Sequence, residues 1–345
     1  MNQIKEFWKK LSSNRITWSF LALVVLLLFN LISRPSFFSL EIKDGHLYGS
    51  LIDIFWNGAP LMILALGMTL VIATGGVDLS VGPVIAITGA IALSLIGGNS
   101  ATESNIPLPL VLLIALGAAI LCGAWNGFLV ARLGIQPIVA TLILFVAGRG
   151  IAQLITNGKI LRIFYEPYFF FGGGYLLLIP FSLFIVAGVY LLGWLLLRRT
   201  AFGLFLESIG VNASASRFSG INEKTIKLIA YVICALCAGI AGILISSNIK
   251  SADGNQAGLY YELDAILSVA LGGTSLSGGR FSLPGSFLGA LIIQTLTTTI
   301  YSIGIPPQVV MVVKAIVVFL VSLLQSEVFR RTLKAKLTFR KGDAQ

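Results

Sequence analysis

Apolar runs of roughly 20 residues, the length a helix needs to cross a ~30 Å hydrocarbon layer, recur along the whole chain. They fall at about 17–33, 58–74, 81–98, 107–131, 137–156, 175–197, 225–246, 264–279, 284–303 and 308–326. Hydrophobic residues make up 57% of the 345 and charged residues only 11%, whereas a water-facing domain carries about a quarter charged. The surface of such a chain faces lipid. The expected fold is therefore an all-α polytopic membrane protein of about ten transmembrane helices. No polar segment between the runs is long enough to fold alone. The expected organisation is a cytoplasmic N-terminal segment over 1–16, one transmembrane domain over 17–326 and a basic tail over 327–345.

The net charge of +10 is unevenly spread. With the N-terminus inside, the segments between runs alternate between cytoplasm and exterior. The cytoplasmic side then collects Lys5, Lys9, Lys10, Arg15, Arg132, Arg198, Arg199, Arg217, Lys224, Lys227, Arg280, Arg330, Arg331, Lys334, Lys336, Arg340 and Lys341, 17 of the 24 basic residues. The outer side receives five, Arg34, Lys43, Lys159, Arg162 and Lys250, and Arg149 and Lys314 fall within runs. Basic residues gather on the cytoplasmic side of membrane proteins, so both termini are placed in the cytoplasm. The same charge suits anionic membrane lipid. It carries no interleaved stacking aromatics, so nucleic acid is not an expected partner.

The first run, TWSFLALVVLLLFNLIS, is followed by Arg34-Pro35 without a small-residue cleavage pattern and reads as a retained helix. Cys122, Cys234 and Cys237 all lie within runs. Cys234-x-x-Cys237 has the spacing of a redox motif, but within AYVICALCAGIAGILI two small apolar side chains at helical spacing fit packing better. His46 is the single histidine, so no metal site or nucleophile built on histidine is expected.

One polar interruption is repeated. GGVDLSVG, starting at Gly75, finds a partner in GGTSLSGG, starting 197 residues later at Gly272. Both match GGxxLSxG and both follow an apolar run, one in each half of the chain. Such pseudo-repeated halves are common in membrane transporters, and Gly-interrupted apolar segments in matching positions point to the substrate path. Glycine lets a helix break and another backbone approach. The freed backbone groups are tolerated at membrane depth only where protein or a watery cavity satisfies them. The candidate path residues are Gly75, Gly76, Asp78, Ser80, Gly272, Gly273, Ser275 and Ser277, with Asn57 and Asn126. The alternative is a tight turn at the membrane edge, where the same residue types are ordinary. The repeat also suggests two breaks facing each other across a polar cavity.

Charges inside a membrane usually face the bundle interior and pair. Arg149, Lys314 and the nearby Asp264 are read mainly as structural charges locking helices together, with Asp78, Asp264 or helix-end carbonyls as the expected partners; a polar path lining is the competing use. Neutral hydrogen-bonding residues are frequent in the runs, among them Thr69, Thr141, Gln153, Gln294, Thr295 and Thr297 to Thr299. They suit a hydroxyl-rich neutral solute such as a sugar, or plain helix–helix bonding.

The longest inner segment, TAFGLFLESIGVNASASRFSGINEK, follows Arg199. Phe202, Phe205, Leu206 and Ile209 are spaced for one apolar face of a short helix, Gly210 is expected to end it, and Asn212 to cap the next. A short helix at the cytoplasmic surface suits docking to a soluble partner; lying on lipid is the alternative.

GMTLVIATGGVDLSVG, QPIVATLILFVAGRGIAQLIT, FLESIGVNASASRFSGI and YELDAILSVALGGTSLSGGR occur in that order. Together they resemble the ribose/galactose/arabinose class of ABC sugar-importer permeases over about residues 15 to 325. IKDGHLYGSLIDIF and GNQAGLYYELDAI are most similar to the galactofuranose-type permeases. The chain departs from the pattern at Pro83 and Phe281. The resemblance implies a bacterial inner-membrane permease working with a second permease subunit, a cytoplasmic ABC ATPase and a periplasmic sugar-binding protein. It also implies that Glu207 to Gly220, with Gly210, Asn212, Ala213 and Arg217 between them, is the segment coupled to the ATPase. The chain has no GxxxxGK[ST] phosphate loop, so ATP-Mg is expected on the partner. No cofactor, no metal and no catalysis are expected here. The expected mechanism is alternating access. The rival readings are a proton-coupled secondary transporter, with Asp78 as its deep carboxylate, and a non-transporting scaffold.

Overall fold

The computed structural model describes residues 15–325 apart from Asp44, Asn99, Ser100, Asn105 and Ile305. The expected N-terminal segment, apart from residues 15 and 16, and the basic tail lie outside the described residues.

Among the described residues thirteen α-helices run in the order α1 (Arg15–Ser33), α2 (Ser50–Ala73), α3 (Val81–Ile96), α4 (Leu108–Ala131), α5 (Pro137–Ile155), α6 (Glu166–Gly173), α7 (Phe181–Arg199), α8 (Phe202–Val211), α9 (Ala213–Phe218), α10 (Glu223–Asn248), α11 (Tyr261–Leu271), α12 (Leu283–Ser302) and α13 (Pro307–Gln325). Strands among the described residues form three two-stranded antiparallel pieces: β1 (Glu41–Lys43) with β2 (His46–Tyr48), β3 (Leu161–Arg162) with β6 (Ser251–Ala252), and β4 (Tyr175–Leu176) with β5 (Ile179–Pro180).

Seven helices among the described residues are long and apolar enough to cross a membrane: α1, α2, α4, α5, α7, α10 and α12. The ten expected spans are thus not all full spans. α3 has 16 residues and α11 only 11, whereas α13 has 19. The run at 264–279 is broken by Gly272 and Gly273, where α11 stops. The run at 175–197 splits as well. Its first six residues form the β4–β5 hairpin, whose tip residues Leu177 and Leu178 both take positive φ (49° and 70°), and α7 begins only after Pro180. The hairpin leaves Leu176, Leu177, Leu178 and Ile179 exposed, so an apolar run records a preference for apolar surroundings and does not by itself require a helix.

The bundle has a core and a shell. Within its most apolar window α2 is 83% buried, and α10 and α12 are each 61% buried, against 11% for α1 and 22% for α4 and α7. Small residues set how closely the core helices approach. A methyl group at Gly123 of α4 would lie 2.7 Å from Ala235 Cβ and from Tyr231 O on α10. One at Gly67 of α2 would lie 2.8 Å from Cys234 Cα. Cys234 and Cys237 are free, buried and seated against that glycine, so their spacing serves helix packing.

α2 and α12 run antiparallel. Gly58 meets Gln294 near one end, and Thr69 Oγ1 donates to Ser286 Oγ at 2.7 Å near the other. α11 also opposes α12, with Gly272 against Gly285 and Gly289 against Ser268 O. The end where α2 and α11 finish also carries Arg198 and Arg199 at the close of α7, Arg217 on α9 and Lys224 and Lys227 at the start of α10. It is called the basic end below and the opposite end the far end. Between β6 and α11 the chain turns back into the bundle, and a methyl at Gly258 would lie 2.7 Å from Gly82 O, at the start of α3.

Candidate functional site

The first break, residues 74–80, separates α2 from α3. α2 closes on Thr74, whose hydroxyl donates to Val71 O at 2.7 Å, and Gly75 reverses the chain at φ 80°. Asp78 is fully enclosed, with no exposed surface. Its Oδ1 accepts from Ser80 N at 2.9 Å and Ser80 Oγ at 2.7 Å. Asn126 of α4 closes the cluster, donating to Ser80 Oγ at 2.7 Å and reaching Asp78 Oδ1 at 3.4 Å. Thr141 of α5 accepts from Leu79 N, and Tyr231 of α10 donates to Val77 O. The non-helical backbone is satisfied by Asp78 itself and by side chains of α5 and α10, while Asn126 of α4 holds the Asp78 and Ser80 side chains, as a water-free setting requires.

The second break, residues 272–282, is longer and more open. Ser275 Oγ accepts from Ser277 N at 3.3 Å, the same residue-to-residue-plus-two turn that Asp78 makes with Ser80. Leu276, Ser277 and Arg280 are exposed. Ser282 caps α12 by accepting from Gly285 N at 3.1 Å.

The two breaks meet by direct backbone contact. Gly279 N donates to Ala73 O at 3.0 Å, and a methyl at Gly278 would lie 2.8 Å from Gly75 N. The expected polar cavity between them is therefore absent from their junction, because three glycine-rich backbones fill it. Gly210 of α8 completes the contact, lying against both Ala73 O and Gly279 N. This corrects one expectation: α8 does not end at Gly210 but runs to Val211. Its glycine serves close approach instead of termination. Asn212 then caps α9, accepting from Ala215 N at 3.0 Å. Gly220 turns the chain at φ 85°, and Asn222 caps α10. Arg217 and Lys227 each lie 3.7 Å from Glu223. Glu207 and Ala213 are half-buried, and Phe218 at the end of α9 is 89% exposed.

Of the charges within spans, Lys314 donates to Asp264 at 2.8 Å, joining α13 to α11. Arg149 meets neither Asp78 nor Asp264. Its Nη1 donates to the carbonyls of Ala257 and Gly254, clamping the inturned segment before α11. Glu262, 4% exposed, and Asp253 supply the nearby negative charge. A methyl at Gly82 would lie 2.5 Å from Glu262 Oε2 and 3.4 Å from Arg149 Nη2. Glu262 was not among the sequence candidates. It sits two residues before Asp264, just outside the apolar run at 264–279, and spacing alone does not say which of the two faces inward.

A polar cavity of about 670 Å³ opens at the far end. Asn57 and Trp56 of α2, Asn248 of α10, Tyr261 of α11 and Gln294, Thr298 and Tyr301 of α12 line it. Asp53 is its acidic residue, and Pro60, inside α2, lies in its wall. Trp56 Nε1 donates to Gly172 O. Tyr261, Gln294, Thr297 and Tyr301 also line a second cavity of about 460 Å³ that holds the Lys314–Asp264 pair. Of the candidate path residues, Asn57 lines the first cavity. The two motifs and Asn126 lie away from it, towards the basic end. The ring-bearing residues Trp56, Tyr261 and Tyr301 went unnoticed in the sequence, although aromatic residues at helix ends were a usable signal.

A bundle of apolar helices with glycine-broken segments and a polar cavity is the architecture expected of a multi-pass membrane permease. A family model described as the branched-chain amino acid transport system / permease component matches residues 50–322, and the chain belongs to that family. It is 50% identical over 313 residues to the galactofuranose transporter permease protein YtfT of Escherichia coli (strain K12), covering 91% of this chain and 90% of that one. It is 38% identical to the fructose import permease protein FruF of Bifidobacterium longum (strain NCC 2705), covering 93% and 90%. It is 37% identical to the ribose import permease protein RbsC of Escherichia coli (strain K12), covering 90% and 93%. No solved structure matches the chain.

Proposed function

We propose that this chain is the permease subunit of an ATP-driven importer in a bacterial inner membrane, that its cargo is a monosaccharide, and that galactofuranose is the first candidate. The observation that carries the reading is the far-end cavity. Its lining is rich in amides, hydroxyls and flat aromatic rings (Asn57, Trp56, Asn248, Tyr261, Gln294, Tyr301), the groups that hydrogen-bond and stack on a hydroxyl-rich neutral ring. The half-identical galactofuranose permease supports the choice of sugar.

The chain performs no chemistry on its cargo. ATP-Mg binds and turns over on a cytoplasmic ABC ATPase, a periplasmic binding protein delivers the sugar, and a second permease subunit, alike or different, completes the path. The segment from Glu207 to Gly220 meets the ATPase, with Asn212, Ala213 and Arg217 at its tip. Movement there rocks the spans about the glycine breaks at Gly75, Gly76, Gly272 and Gly273, with Asp78, Ser80, Asn126, Ser275 and Ser277 holding the broken backbone. A path that must release its cargo binds it weakly, so selectivity rests mostly on the binding protein. The proton-coupled alternative has less behind it, since the relatives compared above are named as permease proteins, two of them import permeases.

The test is uptake of labelled galactofuranose, ribose and fructose by cells that carry the chain with its ATPase and binding protein but no other route for these sugars. Saturable uptake of galactofuranose that disappears when the permease is deleted is expected. Uptake of none of the three overturns the sugar assignment.

A further inference from the structure

The meeting of three backbones at the basic end has a mechanical meaning. Ala73 closes α2, Gly278 and Gly279 lie in the second break, and Gly210 is one residue from the end of α8. Gly279 N–H bonds Ala73 O at 3.0 Å. A methyl at Gly210 would strike both of those backbone atoms. One at Gly278 would lie 3.1 Å from Gly210 O and 2.8 Å from Gly75 N. At Gly210 backbone meets backbone of both breaks directly, and the Val211 side chain lies beside this contact, against Gly279. A side chain can absorb a displacement by changing rotamer, whereas packed backbone moves with its neighbour or not at all.

We infer that Gly210 is a positioning residue that ties the coupling segment to both helix breaks at one point, so that a displacement of α8 reaches the two halves together. α2 then carries the displacement onward. It is buried from Gly58 to Ala73, and its other end lines the cavity. Ala73 and Asn57 are about 24 Å apart along the helix at 1.5 Å per residue, with Pro60 beside Asn57 removing one helical hydrogen bond where the helix can bend. α11 and α12 leave the second break towards the same cavity, which Tyr261 and Tyr301 line. The inference rests on the reading of residues 207–220 as the ATPase contact, and it adds the route by which that contact acts.

Two measurements on the full complex in nanodiscs test it. In the wild type, hydrogen–deuterium exchange is compared without nucleotide and with a non-hydrolysable ATP analogue. Segments 207–218, 74–81 and 272–282 are expected to change together. A change confined to 207–218 overturns the junction. In the second, Gly210→Ala is expected to raise the ATP hydrolysed per sugar moved about tenfold, a typical strength of coupling between distant sites. Its Phe218→Cys derivative is still expected to cross-link to the ATPase through a thiol–amine reagent. A wild-type ratio with the cross-link retained overturns the role of Gly210 and leaves the coupling segment standing. Absence of the cross-link in the Gly210 protein bearing only Phe218→Cys overturns the coupling reading and this inference with it. Should Gly210→Ala not assemble, the exchange pattern of the wild type decides.

Discussion

The two helix breaks begin from the same eight-residue pattern and end as different structures. In each, the fourth residue accepts a hydrogen bond from the backbone two residues on, Asp78 from Ser80 and Ser275 from Ser277. The local turn is shared. What surrounds it is not. The first break is sealed under α4, α5 and α10, with Asp78 entirely buried. The second carries the extra GGRFS between its LS and its helix and leaves Leu276 and Ser277 exposed. A short polar motif fixes how the chain turns, while the residues around it fix how deep the turn sits and what holds it. The first break is anchored from within by a carboxylate. The second is anchored from outside, through the Lys314–Asp264 pair on the helix that leads into it.

Removing the anchor of the first break has the largest expected effect. Asp78→Ala strands Ser80 N–H and the Ser80 hydroxyl inside the bundle, and each stranded donor costs about 1–3 kcal/mol. Thermal unfolding in detergent should show a large loss of stability, whereas Asp78→Asn, which keeps an acceptor oxygen, should retain most of it. Equal losses for the two variants would contradict the anchoring role.

The ion pair comes next. Lys314→Met leaves Asp264 without its cation. Full burial would make that cost about 3–5 kcal/mol, and partial exposure of both groups lowers it to about 2 kcal/mol. The double variant Lys314→Met with Asp264→Leu should recover much of the loss, and a double variant as unstable as the single one would argue against the pair. Arg149→Met should instead raise hydrogen exchange at 253–260, since it releases two carbonyls of that segment. Unchanged exchange there would show that the clamp holds nothing. The smallest effect belongs to Ser275→Ala, within about 0.5 kcal/mol as for other surface changes. A loss matching that of Asp78→Ala would abolish the contrast between the breaks.

Much of this was legible in the chain. Apolar runs locate helices because burial energy scales with contiguous apolar length, and the repeated glycine motif located both breaks. The partner of Lys314 could be proposed because intramembrane charges are few. The cavity was less legible, because its lining comes from helices α2, α10, α11 and α12, which only the fold brings together. Gly210 misled for a physical reason: glycine ends helices and also lets backbones touch, and sequence shows the residue without the neighbour that decides between these uses. The β4–β5 hairpin was hidden in an apolar run, where length alone does not separate helix from turn, and Glu262 lay just before the run at 264–279, where only the fold shows that it faces inward.

Transport by purified components tests the function most directly. The chain is reconstituted in liposomes with its ATPase and any second permease subunit, the binding protein and labelled galactofuranose are added outside, and either lumenal ATP or an inward proton gradient is supplied. Uptake that requires ATP, the ATPase and the binding protein, and that ignores the proton gradient, is the predicted result. Uptake by the chain alone driven by the proton gradient would contradict the account.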